Sequence, residues 1–190
     1  MLIIGITGTL GAGKGTIVEY LTRRHGFLHY SVRSYLAEII RDRGLPLDRN
    51  SMVVVANELR AEHSPSYLVE QLYGRAARAG GDCIIESIRT PGEVEALRGL
   101  GSFVLLAVDA APAVRFQRVQ RRSSDTDGVS YEQFLADEAR EMVSSDPNRQ
   151  NLSRCIELAD YRIGNDGTVA KLEATVERIL TEIMRGNHGR

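Results

Sequence analysis

A glycine-rich loop with one lysine, residues 8–16 (GTLGAGKGT), carries the most distinctive chemistry of the sequence. It lies between an apolar run at 2–6 and a helical pattern at 17–24. A strand that ends in such a loop and restarts as a helix directs backbone N–H groups and the positive helix end at one point, which suits a polyphosphate. The lysine adds a mobile charge for the β- and γ-phosphates. The residues predicted to hold these phosphates are Gly8, Gly11, Ala12, Gly13, Lys14, Gly15 and Thr16.

Two details qualify this loop. The chain has 24 basic residues but only two lysines, Lys14 and Lys171, so the placement of one of them in the loop argues against a chance match. The alternative is a glycine-rich turn that only lets the backbone pack closely. The usual motif has Ser or Thr directly after the lysine to bind magnesium, whereas here Gly15 intervenes before Thr16. This spacing argues against direct metal ligation by Thr16.

A second group of candidate residues follows the apolar run at 83–85. In a parallel sheet, Glu86 would lie at the carboxyl edge beside the loop, where an acid holds magnesium directly or through water. Three residues later, Arg89 is placed to grip a second phosphate with its planar guanidinium. The alternatives are a surface glutamate at a strand end and an exposed arginine at a helix start.

An arginine cluster precedes a polar, turn-rich segment at 121–128, which we interpret as a mobile flap. Cations that close over a transferring phosphoryl group stabilise its charge and exclude water. A solvated basic helix face is the alternative. Arg140 and Arg154 lie on later helical patterns that return toward the site, although Arg140 has neighbouring glutamates for ordinary helix pairing. The members of the cluster are Arg115, Arg118, Arg121 and Arg122.

Two further segments are candidate nucleotide contacts. The turn from Asn165 to Gly167 follows the last predicted strand and would present backbone groups to a nucleobase. A plain turn, with Thr168 capping the last helix, is an equal alternative. The segment 30–35 joins the second strand to its helix, and its Arg33 and Ser34 are predicted acceptor contacts. Its two tyrosines are as well explained by a place in the core.

The alternation of apolar runs and helical patterns predicts a three-layer α/β sandwich around a five-stranded parallel sheet. Strands are predicted at 2–7, 27–31, 82–87, 102–108 and 160–164. Helices are predicted at 14–24, 32–43, 49–62, 65–79, 91–99, 112–122 and 168–185. We expect one domain over 1–190, with an acceptor-binding helical excursion at about 32–80 and a short lid at about 118–145.

Composition limits the classes of function. The chain has 190 residues, 43% hydrophobic, with a net charge of −1, so no global charge attracts nucleic acid or an anionic membrane. No apolar run approaches the roughly 18 residues of a membrane span, and a cytoplasmic location is the default expectation. Cys83 and Cys155 lack partners at zinc spacing and are expected to pack as small apolar side chains.

The motifs together resemble those of P-loop nucleoside monophosphate kinases, the family of adenylate kinase, over most of residues 1–185. The sequence GAGKGT at 11–16 is the adenylate-kinase form of the loop. In proteins with this form, the magnesium ion is bound mainly by phosphates and water. The run 85–89 resembles the acid-then-arginine element of that group, in which the arginine binds the monophosphate. The resemblance implies that Arg118 packs on the donor base and that Arg122 grips phosphate at the lid.

A closer similarity links the chain to archaeal nucleotide kinase homologues and to kinase-like domains attached to deoxycytidylate-deaminase-type proteins. It rests on RTPGEVEAL at 89–97, RFQR at 115–118, AD at 159–160 and NDG at 165–167. One departure affects the acceptor. Ser34 and Ala37 stand where this group usually has Asp and Arg, so that contact is missing or has moved to Arg33.

The sequence therefore predicts transfer of the γ-phosphoryl group of ATP, with Mg²⁺, to a nucleoside or deoxynucleoside monophosphate. The predicted catalytic residues are Lys14, Arg89, Arg118 and Arg122, and Arg140 is a further predicted substrate contact. Two alternatives stay open: a dephospho-coenzyme A kinase, and a nucleotide-binding regulatory protein without kinase activity. The expected partners are small-molecule nucleotides, with neither nucleic acid nor membrane, and the sequence does not fix the oligomeric state.

Overall fold

The computed structural model describes residues 1–122 and 130–187, which alternate between strands and helices. The strands are β1 (Leu2–Gly8), β2 (Leu28–Ser31), β3 (Cys83–Glu86), β4 (Ser102–Asp109) and β5 (Tyr161–Gly164). The helices are α1 (Lys14–His25), α2 (Val32–Asp42), α3 (Arg49–Glu62), α4 (Tyr67–Ala79), α5 (Pro91–Leu100), α6 (Pro112–Arg122), α7 (Tyr131–Met142), α8 (Leu152–Glu157) and α9 (Val169–Asn187).

The strands form a parallel sheet in the order β2-β3-β1-β4-β5. The central strand β1 pairs with β3, with Ile6 opposite Glu86, and with β4, with Gly8 opposite Val108. In an open parallel sheet, ligands bind at the carboxyl ends of the strands, where the direction of chain connection reverses. Strands β3 and β4 flank β1, and the reversal falls between these two strands. The glycine-rich loop that follows β1 therefore lies at this point.

Helices cover both faces of the sheet because its buried strands alternate apolar side chains between two cores. Ile3, Cys83, Ile85 and Leu105 pack with α2, α3, α4, α5 and α8. Ile4, Ile6, Ile84, Leu106 and Val108 pack with α1 and α9. This is the period-two alternation of a strand that is buried on both sides. The three-layer α/β sandwich with a five-stranded parallel sheet is thus confirmed.

The boundaries of these strands and helices lie within two residues of the ranges predicted from the sequence, for each element with a predicted range. The turn residues 123–128 of the expected flap, and the Arg122 side chain, lie outside the described part of the chain. None of the helices described is both long enough and apolar enough to cross a bilayer.

Candidate functional site

A cavity of about 560 Å³ opens at the carboxyl edge of the sheet and is lined by residues from several parts of the chain. From the loop and α1 come Gly11, Gly13, Lys14, Gly15 and Thr16, and from β3 and its exit come Glu86, Ser87 and Arg89. The region 32–60 contributes Arg33 and the apolar wall, and Arg118 comes from α6. Its volume lies within the range typical of small-molecule sites.

The loop is held in a conformation that only glycine adopts easily. Gly13 precedes α1 with φ 109°, and no side-chain hydrogen bond from the described residues caps that helix start. A Cβ on Gly13 would lie 2.3 Å from Asn165 Nδ2, and one on Gly11 would lie 2.5 Å from the Arg115 carbonyl oxygen. Lys14 Nζ donates hydrogen bonds of 2.8 Å to the Gly8 and Thr9 carbonyl oxygens. The ammonium group is therefore anchored over the loop at the start of α1.

Glu86 lines the cavity at the end of β3 as an ionised carboxylate. Its Oε2 lies 3.1 Å from Nε2 of His29, on the neighbouring strand β2. Burial alone would raise the pKa of Glu86, but the His29 hydrogen bond and the charges of Lys14, His29 and Arg89 together hold that pKa below its usual value. Glu86 therefore presents a negative charge within the field of the loop lysine.

Ser87 follows Glu86 with φ 72°, the left-handed region that non-glycine residues rarely occupy. Its backbone N–H and that of Ile88 both donate to the Ile6 carbonyl oxygen, at 3.0 and 3.2 Å. Residues held in such conformations concentrate at functional sites, where the surrounding structure enforces them. This turn directs the chain from β3 toward Arg89.

Arg89 belongs to an ion-pair group made with residues of helices α3 and α7. Its Nη1 donates to Glu141 Oε2 and, at 2.8 Å, to Gln150 Oε1. Arg49 Nη2 donates to the other oxygen of Glu141 at 2.6 Å. Burial would raise the pKa of Glu141, but the two guanidinium groups hold that pKa below its usual value. All four residues line the cavity, so this carboxylate bridges two of its cations.

Two arginines of α6, Arg118 and Arg115, lie in the cavity lining and in the protein interior, respectively, whereas Arg121 is exposed. Arg118 lines the cavity, and its buried Nη1 finds no acceptor among the residues described. The Arg115 side chain is 3% exposed, and it pairs with Glu138 of α7 and with Asp109 at the end of β4. Arg115 therefore fastens α6 to α7 and does not join a converging group of four cations.

The turn after β5 supports the loop from behind. Asn165 is buried, and its Nδ2 donates to the Ala12 carbonyl oxygen at 2.8 Å. Gly167 packs beside the stem of Lys171. Neither residue lines the cavity, nor do Gly8 and Ala12. The Asn165 side chain thus braces the loop, and the predicted contact of this turn with a nucleobase stays untested.

Three other predicted contacts lie away from the cavity lining. Ser34 is exposed, and its backbone N–H donates to Ser31 Oγ at the start of α2. Arg140 is 77% exposed and lies 3.6 Å from Asp137 one turn earlier on α7. Arg154 pairs with Glu157 at 2.8 Å. Each of these three has an ordinary local partner, whereas Arg33 does line the cavity.

The oxygen donors in the cavity suit a magnesium ion that is held mainly by phosphates. The Glu86 carboxylate and the Thr16 hydroxyl are the hard ligands that Mg²⁺ prefers. Within 1–122 and 130–187, no group of three or more His, Cys, Asp or Glu side chains could hold a metal ion alone. This donor set fits an ion that enters with a nucleotide.

Sequence reasoning missed the partners of the predicted residues. Glu141, Arg49 and Gln150 surround Arg89 but lie 40 to 61 residues away from it in the chain. One pairing could be predicted from the sequence. Thr90 followed by Glu93 is a capping-box pattern, and the structure forms this capping box at the start of α5. No pattern within a single element encodes the other pairings.

Comparisons with known proteins agree with this architecture. Residues 4–142 match the family described as AAA domain. A UPF0200 protein from Pyrobaculum aerophilum is 30% identical over 183 residues, covering 95% of this chain and 98% of that protein. Among solved structures, TT1252 from Thermus thermophilus has a TM-score of 0.64 at 23% identity and covers 95% of this chain and 97% of its own.

A shikimate kinase from Acinetobacter baumannii, solved with shikimate, has a TM-score of 0.58 at 16% identity, covering 98% of this chain and 94% of its own. At that identity the likeness shows the fold alone, which is the fold of P-loop kinases. The matched family region contains the glycine-rich loop, β3 and α6, and the UPF0200 similarity runs over nearly the whole length of both proteins. The chain belongs to the AAA domain family of P-loop proteins and to the UPF0200 group.

Proposed function

We propose that this protein is an ATP-dependent phosphotransferase whose acceptor is a nucleoside or deoxynucleoside monophosphate. The observation that carries the proposal is the shared cavity. The glycine-rich loop with Lys14 and the two arginines Arg33 and Arg89 line the same space, and an apolar wall from α2 and α3 extends it. That arrangement offers one region for a polyphosphate and a second for an anionic acceptor with an apolar ring.

The proposed reaction needs alignment and charge neutralisation more than proton transfer. An oxygen of the acceptor phosphate attacks the γ-phosphorus of ATP, and the bond from that phosphorus to the bridging oxygen of ADP breaks. The acceptor phosphate is already an anion at neutral pH, so no general base is required. Lys14 and Arg118 would neutralise charge on the transferring group while Arg89 holds the acceptor. Magnesium, when bound with ATP near Glu86 and Thr16, would neutralise further phosphate charge.

Several finer predictions belong to this proposal. The acceptor lies against the region 32–80, the segment 118–145 serves as a lid, and Arg122 contributes from that lid. The partners are small-molecule nucleotides, and the site of action is the cytoplasm. A dephospho-coenzyme A kinase would share the donor site, but its sugar hydroxyl acceptor needs a positioned base. A regulatory protein would bind ATP without transferring phosphate.

Substitution of the loop lysine tests the mechanism. Lys14→Met should lower acceptor-dependent ADP release by about 100-fold or more while the melting temperature stays near that of the wild type, because the ammonium group acts on the transferring charge. Lys171→Met is the matched control, since it removes the other, exposed lysine on α9 and should keep wild-type turnover. Near-native turnover by Lys14→Met would refute the mechanism.

The wild-type protein is assayed with a panel of nucleoside monophosphates and with dephospho-coenzyme A. Release of ADP that depends on a monophosphate supports the proposal. Activity only with dephospho-coenzyme A supports the first alternative. Tight ATP binding with no acceptor-dependent ADP release supports the regulatory alternative.

A further inference from the structure

Arg60 is a buried cation at the cavity wall, outside the machinery described above. Its side chain is 1% exposed, yet the residue lines the cavity. Its Nε and Nη2 both donate to Glu93 Oε1, at 3.2 and 2.8 Å. The third nitrogen, Nη1, exposes less than 1 Å² and finds no acceptor in 1–122 or 130–187. A buried donor without a partner carries a free-energy cost, so it calls for an explanation.

Glu93 does not have spare capacity for this third nitrogen. Its Oε2 accepts hydrogen bonds from the backbone N–H groups of Arg89 and Thr90, at 2.7 and 3.1 Å, and so closes the cap of α5. The Arg60 and Glu93 charges cancel at 2.8 Å separation. The pair therefore places a buried N–H donor with little net positive charge in a residue of the cavity wall.

The wall around this donor is apolar. Met52 and Ala56 precede Arg60 by two turns and one turn of α3, on the face that lines the cavity, and Val32 and Leu36 line it from α2. Apolar walls with few polar groups suit the faces of a planar ring. Because Nη1 is shielded from water, contact with a ligand requires a shift of neighbouring side chains, and such rotamer changes are common on binding.

We infer that the acceptor region recognises a nucleobase through an exocyclic carbonyl oxygen, which accepts a hydrogen bond from Arg60 Nη1. The inference rests on the proposed function, because it assigns the base of the acceptor nucleotide. Bases of the uracil, guanine or hypoxanthine type carry such an oxygen opposite the sugar, where adenine and cytosine carry an amino group. An amino group would leave Nη1 unsatisfied and face it with a second donor. A carboxylate group on the ligand would gain less binding free energy at this position, because Glu93 already neutralises the charge of Arg60.

Two matched substrate pairs test the inference on the wild-type protein. IMP and AMP differ in an oxygen or amino group at one ring position and in the proton on the adjacent ring nitrogen, and UMP and CMP differ in the same way. Calorimetric Kd and kcat/KM from coupled ADP release should favour the carbonyl member of at least one pair by about tenfold or more. Equal values within both pairs, or a preference for the amino members, would overturn the inference.

A conservative variant provides a second readout. Arg60→Lys keeps a positive charge for Glu93 but removes the donor geometry of Nη1, so the ratio of the two kcat/KM values within the discriminating pair should fall toward unity. Arg78→Lys, on the exposed side of α4, is the control and should keep the preference. Undiminished preference in a folded Arg60→Lys protein would overturn the inference, and if that variant unfolds, the wild-type pairs still decide.

The failure of this inference is distinguishable from failure of the proposed function. Phosphorylation of monophosphates without any preference for the carbonyl members overturns the base assignment alone. A preference in calorimetric binding without phosphoryl transfer overturns the kinase proposal and supports the base assignment. Absence of monophosphate binding overturns both.

Discussion

At the scale of single residues, the site depends on how its charges are shared. Arg89 and Arg49 both donate to Glu141, so the cavity contains a carboxylate of α7 that bridges two cations, one in the turn after β3 and one at the start of α3. The three side chains are between 14% and 30% exposed, so solvent screens the charges of this group only in part. Partly buried ion pairs of this kind depend on both partners, because removal of one leaves the other poorly solvated.

The Glu141 bridge predicts a pH dependence of stability. Because the folded-state pKa of Glu141 lies below its ordinary value of 4.5, its contribution is fully present above about pH 4.5 and is lost as pH falls through the folded pKa. Glu141→Gln should lower the free energy of unfolding at pH 7 by about 1–3 kcal/mol. The difference from the wild type should narrow as the pH falls from about 4.5 through the folded pKa of Glu141.

Urea unfolding followed between pH 3 and pH 8 measures this difference. Glu132→Gln, an exposed position in the first turn of the same helix, is the matched control and should change stability by only a few tenths of a kcal/mol. A Glu141→Gln protein with the wild-type stability and the wild-type acid slope would show that the bridge contributes nothing.

At the scale of elements, the phosphate loop is shaped by contacts that come from outside it. Gly11 lies against the backbone of α6, and Gly13 lies against the Asn165 side chain from the turn after β5. Gly15 has no described atom within 4 Å of the position of its Cβ, apart from its neighbours and its own helix. The glycines of one motif are therefore required for different reasons, and packing within the described protein gives no reason for Gly15.

This difference predicts opposite effects on stability. Gly13→Ala should lower the free energy of unfolding by about 2 kcal/mol or more, because it combines a left-handed backbone with a 2.3 Å approach to Asn165 Nδ2. Gly15→Ala should raise it by about 0.5–1 kcal/mol, because alanine favours a helix over glycine. Urea unfolding midpoints compare the two variants, which serve as controls for each other. Equal destabilisation by both would contradict this account.

At the scale of the whole molecule, the sheet separates two apolar cores and the site occupies one of its edges. Both cysteines lie in the core on the side of α2 to α5 and α8, and both are free thiols. Burial raises the pKa of Cys83 to about 11 and that of Cys155 to about 12. The expectation that they pack as small apolar side chains is confirmed by their burial.

Thiol reactivity should therefore report the opening of this core. At pH 8 the native protein should react with iodoacetamide at neither cysteine over a period in which the guanidinium-unfolded protein reacts at both, since the thiolate is the nucleophile and both side chains are fully buried. Mass spectrometry of quenched samples measures the labelling, with the unfolded protein as the control. Rapid labelling of either cysteine in the native protein would show that the core opens locally.

The sequence by itself determined the order and type of the elements and the position of the phosphate loop. These features depend on local rules: strand alternation, helical periodicity and a glycine pattern that can be read within about fifteen residues, as at 2–16. The same rules placed Glu86 and Arg89 at the carboxyl edge and Arg118 on α6, and the cavity brings these three together with Lys14.

Only the tertiary structure decided which partner each charged residue takes. Asn165 turns inward to brace the loop, Arg115 ties α6 to α7, and Arg60 pairs with Glu93 beside the cavity. Those pairings join elements separated by 23 to 153 residues. They depend on how far and in which direction long side chains reach across packed helices, and the pattern within one element carries no information on that geometry.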